Sequence, residues 1–290
     1  MKLALLTCDK LPNCTSCDLE LSKILKRHQI VASPAIWNDP KINWNNFDLI
    51  IIRSCWDYHL YPKEFTSWLH YIKQIKTPIL NSIDTVLWNL NKTYLLELEN
   101  KGVVIPKTVW VDSTTDQELH DILYHNHLDE VVIKPTIAAS AYGAWRTNLK
   151  RATVEQERFR QEVEKDKNKV IIQKFLSEVC LEGEWSLIFF NSEFSHAVIK
   201  NPKIGDYRVQ RGYGGVNTKA APPKVVLDTA KHILNLCGKD SLYARVDGVL
   251  VDGIFVLMEL EMIEPCLFLE EDSSALQRFS NAILDRLSVN

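Results

Sequence analysis

The sequence lacks the features that mark several common classes of protein. No glycine fingerprint follows its first apolar segment, where LTCDKLPNC stands over residues 6–14, and this argues against a Rossmann-type oxidoreductase. No stretch approaches the roughly 20 apolar residues that a membrane span needs. There is no excess of one charge, because 34 basic and 37 acidic side chains leave a net charge of −3. We therefore expect neither nucleic acid nor a membrane as a partner, and small-molecule chemistry is favoured.

The cysteines indicate a reducing compartment. Seven is an odd number, and the N-terminal segment MKLALLTCDK has too short an apolar run for a signal-peptide core. Free thiols and a cytoplasmic location are expected. Cys14 and Cys17 form one C-x-x-C pattern, whose specific interpretations are half of a zinc site or a redox pair. No second C-x-x-C or H-x-x-x-H follows at zinc spacing, so ordinary loop cysteines are the favoured interpretation.

The chain does contain a regular alternation of apolar strands and amphipathic helices. FDLIIIRS is typical of a parallel strand buried on both faces. After Pro106 the pattern becomes richer in strands, with helices around residues 115–125 and 153–166. The sequence therefore predicts a mixed α/β and α+β protein. Its expected units are an N-terminal substrate domain, a central unit with a small-residue loop, and a C-terminal unit with an acidic hairpin (1–82, 83–175, 176–290).

Acidic residues interrupt the apolar hairpin YARVDGVLVDGIFVLMELEMIEP, residues 243–265. Alternation along a strand puts Glu259 and Glu261 on one face and five apolar side chains on the other (Ile254, Val256, Met258, Leu260, Met262). A strict two-residue turn at residues 252–253 would pair Asp247 with Met258, away from both glutamates. A bulge shifts the register by one residue and brings Asp247 opposite Glu259. We predict this bulge, because a site of three converging carboxylates requires it.

Three carboxylates with no histidine or thiolate among them suit a hard cation such as Mg²⁺. Two like charges about 4 Å apart repel by on the order of 4 kcal/mol at an effective dielectric of 20, so they need a cation, a proton or basic partners. The other interpretation is an exposed sheet face whose acids pair with Lys or Arg. The apolar residues on either side of the acids favour the metal.

Two lysines are candidates for phosphate contacts. Lys134 ends the apolar strand EVVIK beside the loop AASAYG (138–143), where backbone N–H groups can approach phosphate oxygens. The loop has neither GxxxxGK[ST] nor GxGxxG, so by itself it is weak evidence. Lys92 lies on a predicted helix over residues 86–102, which Gly102 caps; a lysine on a helix is usually solvated.

The order of these elements is more informative than any one of them. A lysine-bearing helix ending in G-V-x-x-P-x-T precedes the V-I-K-P strand, its small-residue loop, and the extended segment IIQKFL (171–176), which alone is best explained as a buried strand. R-x-D (245–247) and E-x-E (259–261) complete the series. In this order the motifs resemble the ATP-grasp superfamily over nearly the whole chain. RSCWDY, SAYGAW, EWSLIFF and MELEMIEP are similar to its glutathione-synthetase-like branch, which includes O-ureido-D-serine cyclo-ligase.

The resemblance implies an ATP-grasp fold, in which an N-terminal Rossmann-like domain precedes two α+β units that clamp ATP. It also implies four groups of nucleotide contacts. Lys92 and Lys134 would bind the phosphates, and a mobile loop would cover them (Ser140, Ala141, Tyr142, Gly143). A hinge would bind adenine (Gln173, Lys174, Phe175, Leu176), and Glu184 would contact the ribose or the substrate. Asp247, Glu259 and Glu261 would bind two Mg²⁺ ions, or Mn²⁺, with Arg245 over the transferred phosphate. Much of the superfamily has E-x-N where this chain has Glu261, which keeps an oxygen ligand and adds charge.

The implied activity is that of an ATP-dependent carboxylate-amine ligase. The γ-phosphate of ATP would convert a carboxylate of an amino acid or small peptide-like substrate to an acylphosphate, which an amine then attacks, with release of ADP and phosphate. Lys134, Arg208 and Arg245 are the catalytic candidates. The alternative is an ATP-binding regulatory protein of the same fold without ligase turnover, although a binder needs fewer of these residues.

Substrate selection is expected at the N-terminal crevice and at the loop after SHAVIK. The candidates are polar or aromatic residues from these two places (Arg53, Trp56, Asp57, Tyr58, Lys200, Arg208). The first four follow a strand at its carboxyl end, where open α/β sheets bind ligands. Arg53 or Arg208 could clamp a substrate carboxylate with two hydrogen bonds, and a surface ion pair is the alternative for each. Related folds are commonly dimers, so a homodimer is one expectation.

Overall fold

The structure is a computed structural model that describes residues 1–165 and 169–288. The strands of these residues form three sheets. The first is parallel, in the order β2-β1-β3-β4 (Lys2–Thr7, Val31–Ile36, Leu49–Ser54 and Ile79–Leu80 for β1 to β4). Every residue of β3 is buried, as its continuous run of β-branched residues predicted.

Two helices connect the strands of this first sheet. Helix α1 (Ser16–Lys26) begins with a capping box, in which the Asp18 N–H donates to Thr15 Oγ1 and the Thr15 N–H donates to the Asp18 carboxylate. Helix α2 (Pro62–Ile75) begins with a proline, which needs no hydrogen-bond acceptor in the first turn. The capping box fixes where α1 starts, and this first turn lies beside the cavity described below.

Residues 86–102 do not form one helix, so this prediction was wrong. They lie in two short helices, α3 (Ile83–Leu90) and α4 (Tyr94–Asn100), which Asn91 separates in an extended conformation. The Lys92 N–H donates to the Thr136 carbonyl at 2.9 Å rather than to a helical carbonyl. Hydrogen bonding to another part of the chain therefore outweighs helix propensity at this point. The predicted cap is confirmed, because Gly102 has φ +90° just past the end of α4.

The second sheet is antiparallel, in the order β5-β8-β6-β7 (Thr108–Val111, Glu130–Pro135, Trp145–Asn148 and Val170–Lys174 for β5 to β8). Helices α5 (Leu119–His125) and α6 (Ala152–Glu164) pack against it in one apolar core. These are the helices predicted around 115–125 and 153–166; residue 166 lies outside the described residues.

The third sheet is antiparallel, in the order β11-β10-β9-β12-β13 (Glu184–Phe190, Glu193–Asn201, Val216–Lys219, Tyr243–Val251 and Ile254–Glu261 for β9 to β13). The short helix α7 (Glu178–Leu181) precedes it. Helix α8 (Lys224–Cys237) packs with α4 in one core of this sheet. Helix α9 (Ala275–Ser288) and α1 form another core, which joins the third sheet to the first.

The hairpin of β12 and β13 contains the predicted bulge. Asp247 pairs with Glu259 and Gly248 pairs with Leu257, so Met258 is the extra residue. The tip is a two-residue turn at residues 252–253, where both residues have positive φ. The bulge thus places three carboxylates on neighbouring positions of the two strands.

The expectation of one continuous apolar face on β13 was wrong. Val256 and Met258 pack in a small cluster with Leu176. Leu260 and Met262 belong instead to the core beneath α4 and α8. The extra residue at the bulge moves the alternation by one position, so the apolar side chains before and after it point to opposite faces.

None of the helices within residues 1–165 and 169–288 is both long and apolar enough to cross a membrane. The seven cysteines are free thiols. Cys14 lies in the loop before α1, whereas Cys17 lies in the first turn of that helix rather than in a loop.

Candidate active site

A cavity of about 1040 Å³ is lined by residues from all three sheets and from the segments that connect them. Nearly all the candidate residues named from the sequence line it. Among the described residues, two candidates do not contribute to the lining, Asp57 and Gly143. Asp57 is buried and accepts a hydrogen bond from Trp37 Nε1 at 2.9 Å, so it contributes to packing within the N-terminal part of the chain.

Charged side chains from β9, β10, β12 and β13 and from the break between α3 and α4 line one part of the cavity. We call them the acid cluster (Glu184, Asp247, Glu259 and Glu261, with Lys92, Lys200 and Arg245). Arg245 donates from Nε and Nη2 to the Asp247 carboxylate, with 2.8 Å for Nη2, and its Nη2 also donates to Glu261. Lys200 contacts Glu184 at 2.6 Å and Asp247 at 3.3 Å. Ser186 Oγ donates to Asp247 Oδ1 at 2.5 Å. Asp247 is therefore the most heavily hydrogen-bonded acid of the cluster.

These contacts separate the pKa values of the acids. Burial raises the pKa of Asp247, but Arg245 and Lys200 outweigh this effect and hold that pKa at about 2. Burial also acts on Glu261, where Arg245 opposes it and the negative charges of Glu259 and Asp247 add to it; the result is a pKa of about 7. The cluster therefore holds one firmly ionised acid beside one that is easily protonated.

The acid cluster is compatible with Mg²⁺ in its chemistry but not yet in its geometry. Within the described part of the chain, no three His, Cys, Asp or Glu side chains are arranged to hold a metal ion. Basic side chains contact the carboxylates instead, among them Lys92, which lies 2.7 Å from Glu259. Burial and the negative charges of Glu259 and Asp247 raise the pKa of Glu261, and a divalent cation would offset these effects. The donors fit Mg²⁺ if Arg245 and Lys92 release part of their contacts.

The two lysines differ in their partners. Lys92 is buried, and its Nζ donates to the Ala138 carbonyl at 2.7 Å as well as contacting Glu259. Lys134 lines the cavity, but it donates no hydrogen bond to any residue that the structure describes. Burial lowers its pKa, although Glu259 acts in the opposite direction. A lysine without an internal acceptor is well placed to bind an anion from outside.

The small-residue loop follows Lys134 and has an unusual backbone. Ser140 and Ala141 have positive φ values of +53° and +59°, which non-glycine residues rarely adopt. Gly143 has φ +69°, and a Cβ there would lie 3.1 Å from Pro135. The Tyr142 ring lies 5.0 Å from that of His59, so the loop contacts the N-terminal part of the chain. Backbone strain of this kind is common at ligand-binding sites.

The predicted adenine hinge borders an apolar part of the cavity. Leu176 packs with Val179 and Val209 against β13, and these three residues line the cavity. The Phe175 N–H donates to the Glu130 carbonyl at 2.9 Å, and the Arg146 guanidinium lies 3.8 Å from the centre of the Phe175 ring. An apolar slot next to an exposed strand end can accept a flat heterocycle.

Two arginines lie on other parts of the cavity wall. Arg53 is 4% exposed, and its Nε donates to Asp18 Oδ1 at 2.7 Å. Arg208 pairs with Asp206 at 2.8 Å and stacks 3.7 Å from the centre of the Tyr213 ring. The neighbouring Arg211 connects the same loop to Glu270 at 2.8 Å.

Several residues in or next to the cavity were not predicted from the sequence. Ser186 and the first turn of α1 carried no functional motif. The capping pattern Thr15-Ser-Cys-Asp18 would have located the start of that helix. Glu270 and Arg211 come together from positions far apart in the chain, and no local pattern would have paired them.

Comparisons with known proteins agree with this fold. Residues 3–81 match the family described as D-cycloserine synthetase DcsG, N-terminal domain. The cycloserine biosynthesis protein DcsG of Streptomyces lavendulae is 28% identical over 275 residues, which are 89% of this chain and 89% of that protein. The crystal structure of D-cycloserine synthetase DcsG gives a TM-score of 0.88 at 24% identity and covers 99% of this chain and 100% of its own.

Two ligases of lower sequence identity have the same fold. D-alanine–D-alanine ligase from Bacillus anthracis, solved with ATP, gives a TM-score of 0.69 at 14% identity, covering 98% of this chain and 96% of its own. The ATP-grasp ligase PsnB, solved with a phosphomimetic precursor variant, Mg and ADP, gives 0.64 at 12% identity, covering 98% of each chain. The chain is therefore homologous to DcsG and has the ATP-grasp fold.

Proposed function

We propose that this chain is an ATP-dependent carboxylate-amine ligase that acts on an amino acid or a small peptide-like substrate. One observation carries the proposal: a single cavity combines an apolar slot, two lysines, and three neighbouring carboxylates, two of which Arg245 contacts. Phosphoryl transfer needs positioning and charge neutralisation more than a dedicated nucleophile, and these are the groups present. The sequence relationship to DcsG supports a small amino-acid derivative as substrate.

The nucleotide would lie between the hinge and the two lysines. Its adenine would occupy the slot beside Phe175 and Leu176, and Glu184 would contact the ribose or the substrate. Lys92 and Lys134 would bind the phosphates, with Tyr142 and the rest of the small-residue loop over them. Lys134 has free donors for this purpose, whereas Lys92 would exchange a contact to Glu259 or Ala138.

Asp247, Glu259 and Glu261 would hold Mg²⁺, in the form of two ions, with Mn²⁺ as a substitute. When bound, Mg²⁺ supplies charge neutralisation and orientation of the phosphate oxygens. Arg245 would stay beside the reacting group, where its guanidinium can bind the carboxylate that receives the phosphoryl group.

The proposed reaction has two steps. A substrate carboxylate oxygen forms a bond to the γ-phosphorus as the bond to ADP breaks, which gives an acylphosphate. An amine then attacks the acyl carbon, loses a proton, and displaces inorganic phosphate. Arg208 is a further catalytic candidate, although it would first have to leave Asp206.

The test is ADP release from Mg-ATP in the presence of pooled amino acids, peptides and small amines. We expect release that depends on one pool and falls at least a hundredfold in Glu259→Gln/Glu261→Gln. Glu193→Gln, an exposed acid on β10, is the matched control and should behave as the wild type. Failure to bind ATP, measured by calorimetry, would refute the proposal.

The second candidate is an ATP-binding regulatory protein without turnover. The pairing of every acid of the cluster with a basic side chain favours it, because each acid then has a cationic partner without metal. ATP binding with no release from any pool would support this second function. The three units 1–82, 83–175 and 176–290, a cytoplasmic location and a homodimer remain predictions; each sheet of the described chain falls within one of these units.

A further inference from the structure

The Arg53 side chain has hydrogen-bond donors that the described chain does not use. It lies at the carboxyl end of β3 and lines the cavity. Its Nε donates to Asp18, but its Nη1 is buried with no partner, and its Nη2 donates to no other residue that the structure describes. Buried donors in proteins nearly always have an acceptor, so this guanidinium can readily take one from a ligand.

The first turn of α1 offers further donors in the same wall. Thr15, Ser16 and Cys17 line the cavity. The capping box uses the N–H groups of Thr15 and Asp18, whereas those of Ser16 and Cys17 have no acceptor among the described residues. The helix has 11 residues, so its N-terminus also carries a partial positive charge.

Asp18 holds these two groups of donors together. It is fully buried; its Oδ1 accepts from Arg53, and its Oδ2 accepts from the Thr15 hydroxyl at 2.7 Å. One carboxylate therefore orients the guanidinium and fixes the start of the helix. The unused donors of both elements remain available to one ligand group.

Arg53 is better suited to bind a ligand than Arg208, the other candidate for a carboxylate clamp. The Arg208 guanidinium donates to Asp206 from both Nε and Nη2, at 3.0 Å and 2.8 Å, and stacks on Tyr213. Arg53 donates from Nε alone. Of these two arginines, only Arg53 has both terminal nitrogens free for a bidentate contact.

Tyr243 connects this wall to the strand that carries Arg245. The Arg53 guanidinium is 5.9 Å from the centre of the Tyr243 ring. Tyr243 and Arg245 lie on the same face of β12, two residues or about 7 Å apart. Arg53 and Arg245 thus line neighbouring parts of one cavity, so that a single substrate can contact both.

We propose that Arg53 and the backbone N–H groups of Ser16 and Cys17 form a subsite that binds a free carboxylate of the substrate. This carboxylate is separate from the one that is phosphorylated beside Arg245. The assignment of the subsite to the substrate rests on the proposed ligase function. The subsite selects an amino acid whose own carboxylate stays free, or a dicarboxylate. If the substrate has one carboxylate and that group is consumed in ring closure, only a neutral carbonyl could contact the subsite.

Acetate is the probe for this subsite, because it needs neither ATP nor turnover. Labelling with ¹⁵N-cysteine gives seven amide signals, one for each cysteine, and Cys17→Ser identifies the signal of interest. We expect acetate to move the Cys17 signal in a saturable manner. Acetamide, which has a similar shape and no charge, should not do so at the same concentrations.

The matched pair Ser16→Pro and Ser16→Ala tests the backbone donor. Proline suits this first helical position, and Thr15 already has the extended conformation that a following proline requires (φ −81°, ψ 164°). Ser16→Pro removes one N–H and should weaken acetate binding about tenfold, since it removes a hydrogen bond to a charged group. Ser16→Ala keeps the N–H and should bind as the wild type does.

Three results would overturn the inference: no saturable movement of the Cys17 signal, an equal response to acetamide, or equal acetate affinity in the two Ser16 variants. ADP release in the same preparations keeps this outcome distinct from the ligase proposal. Turnover without an acetate response refutes the subsite alone, and an acetate response without ATP binding refutes the ligase alone.

Discussion

The acid cluster and the group formed by Arg53, Asp18 and the first turn of α1 use charge in opposite ways, although both line one cavity. In the cluster, Asp247 accepts hydrogen bonds from Arg245 and Ser186 and contacts Lys200, so its charge is compensated inside the protein. Around Arg53, one acid leaves several donors unused. The acids of the cluster would have to exchange partners to bind a cation, whereas the donors around Arg53 can accept a ligand without losing a partner. Removing one member should therefore have a different consequence in each region.

The largest effect is expected when the cluster loses its central cation. Arg245→Met leaves Asp247 and Glu261 without their common partner in a mostly buried site. We expect the free energy of unfolding to fall by about 3–5 kcal/mol, measured by urea denaturation. Arg211→Met breaks an exposed ion pair with Glu270 and should cost less than about 1 kcal/mol. Equal losses in the two variants would mean that burial does not distinguish these sites.

A middle-sized effect is expected from the lysine without an internal partner. Lys134→Met should leave the unfolding free energy nearly unchanged, because no ion pair is lost within the described chain. ATP affinity should fall about tenfold, which corresponds to about 1.4 kcal/mol, as calorimetry would show. Lys92→Met is the comparison: it should also lower stability, because Glu259 and the Ala138 carbonyl lose a partner. Unchanged ATP affinity in Lys134→Met would exclude this lysine from the phosphate site.

The smallest effect concerns His59, which lies beside the small-residue loop. Burial, with a contribution from Lys92, lowers its pKa to about 4 from the ordinary 6.5. Between these pH values the unfolded chain binds more protons, so this contribution to stability is complete above pH 6.5 and is lost as the pH falls towards 4. Because the side chain is only partly buried, we expect a loss of about 1 kcal/mol. Other groups also titrate in this range, so the variants are compared: urea denaturation at pH 7 and pH 4.5 should give a change that is about 1 kcal/mol less favourable in wild type and in His28→Gln, an exposed control, than in His59→Gln.

The sequence alone was enough to predict the elements whose pattern is local. The buried run of β3 and the acidic hairpin are visible as periodicity, and the need for three converging acids predicted the bulge. The ATP-grasp fold followed from the order of motifs and is confirmed by the match to DcsG. Assignment of roles to the site residues stays a prediction.

Other features depend on contacts between distant parts of the chain. Nothing near Lys92 indicates that its N–H bonds to Thr136, and this contact breaks the predicted helix. The faces of β13 were misassigned because one extra residue reverses the alternation beyond it. Local pattern also could not show that Asp18 contacts both Arg53 and the start of α1, since 35 positions separate Asp18 from Arg53.

The break between α3 and α4 lets Lys92 contact the chain around the small-residue loop at two points. Its backbone N–H donates to Thr136, two residues before the small-residue loop, and its Nζ donates to Ala138, the first residue of that loop. An anion that draws Nζ away competes directly with that carbonyl. Arrival of a phosphate group would thus be communicated to the loop through the exchange of one hydrogen bond, with no need for a distant hinge.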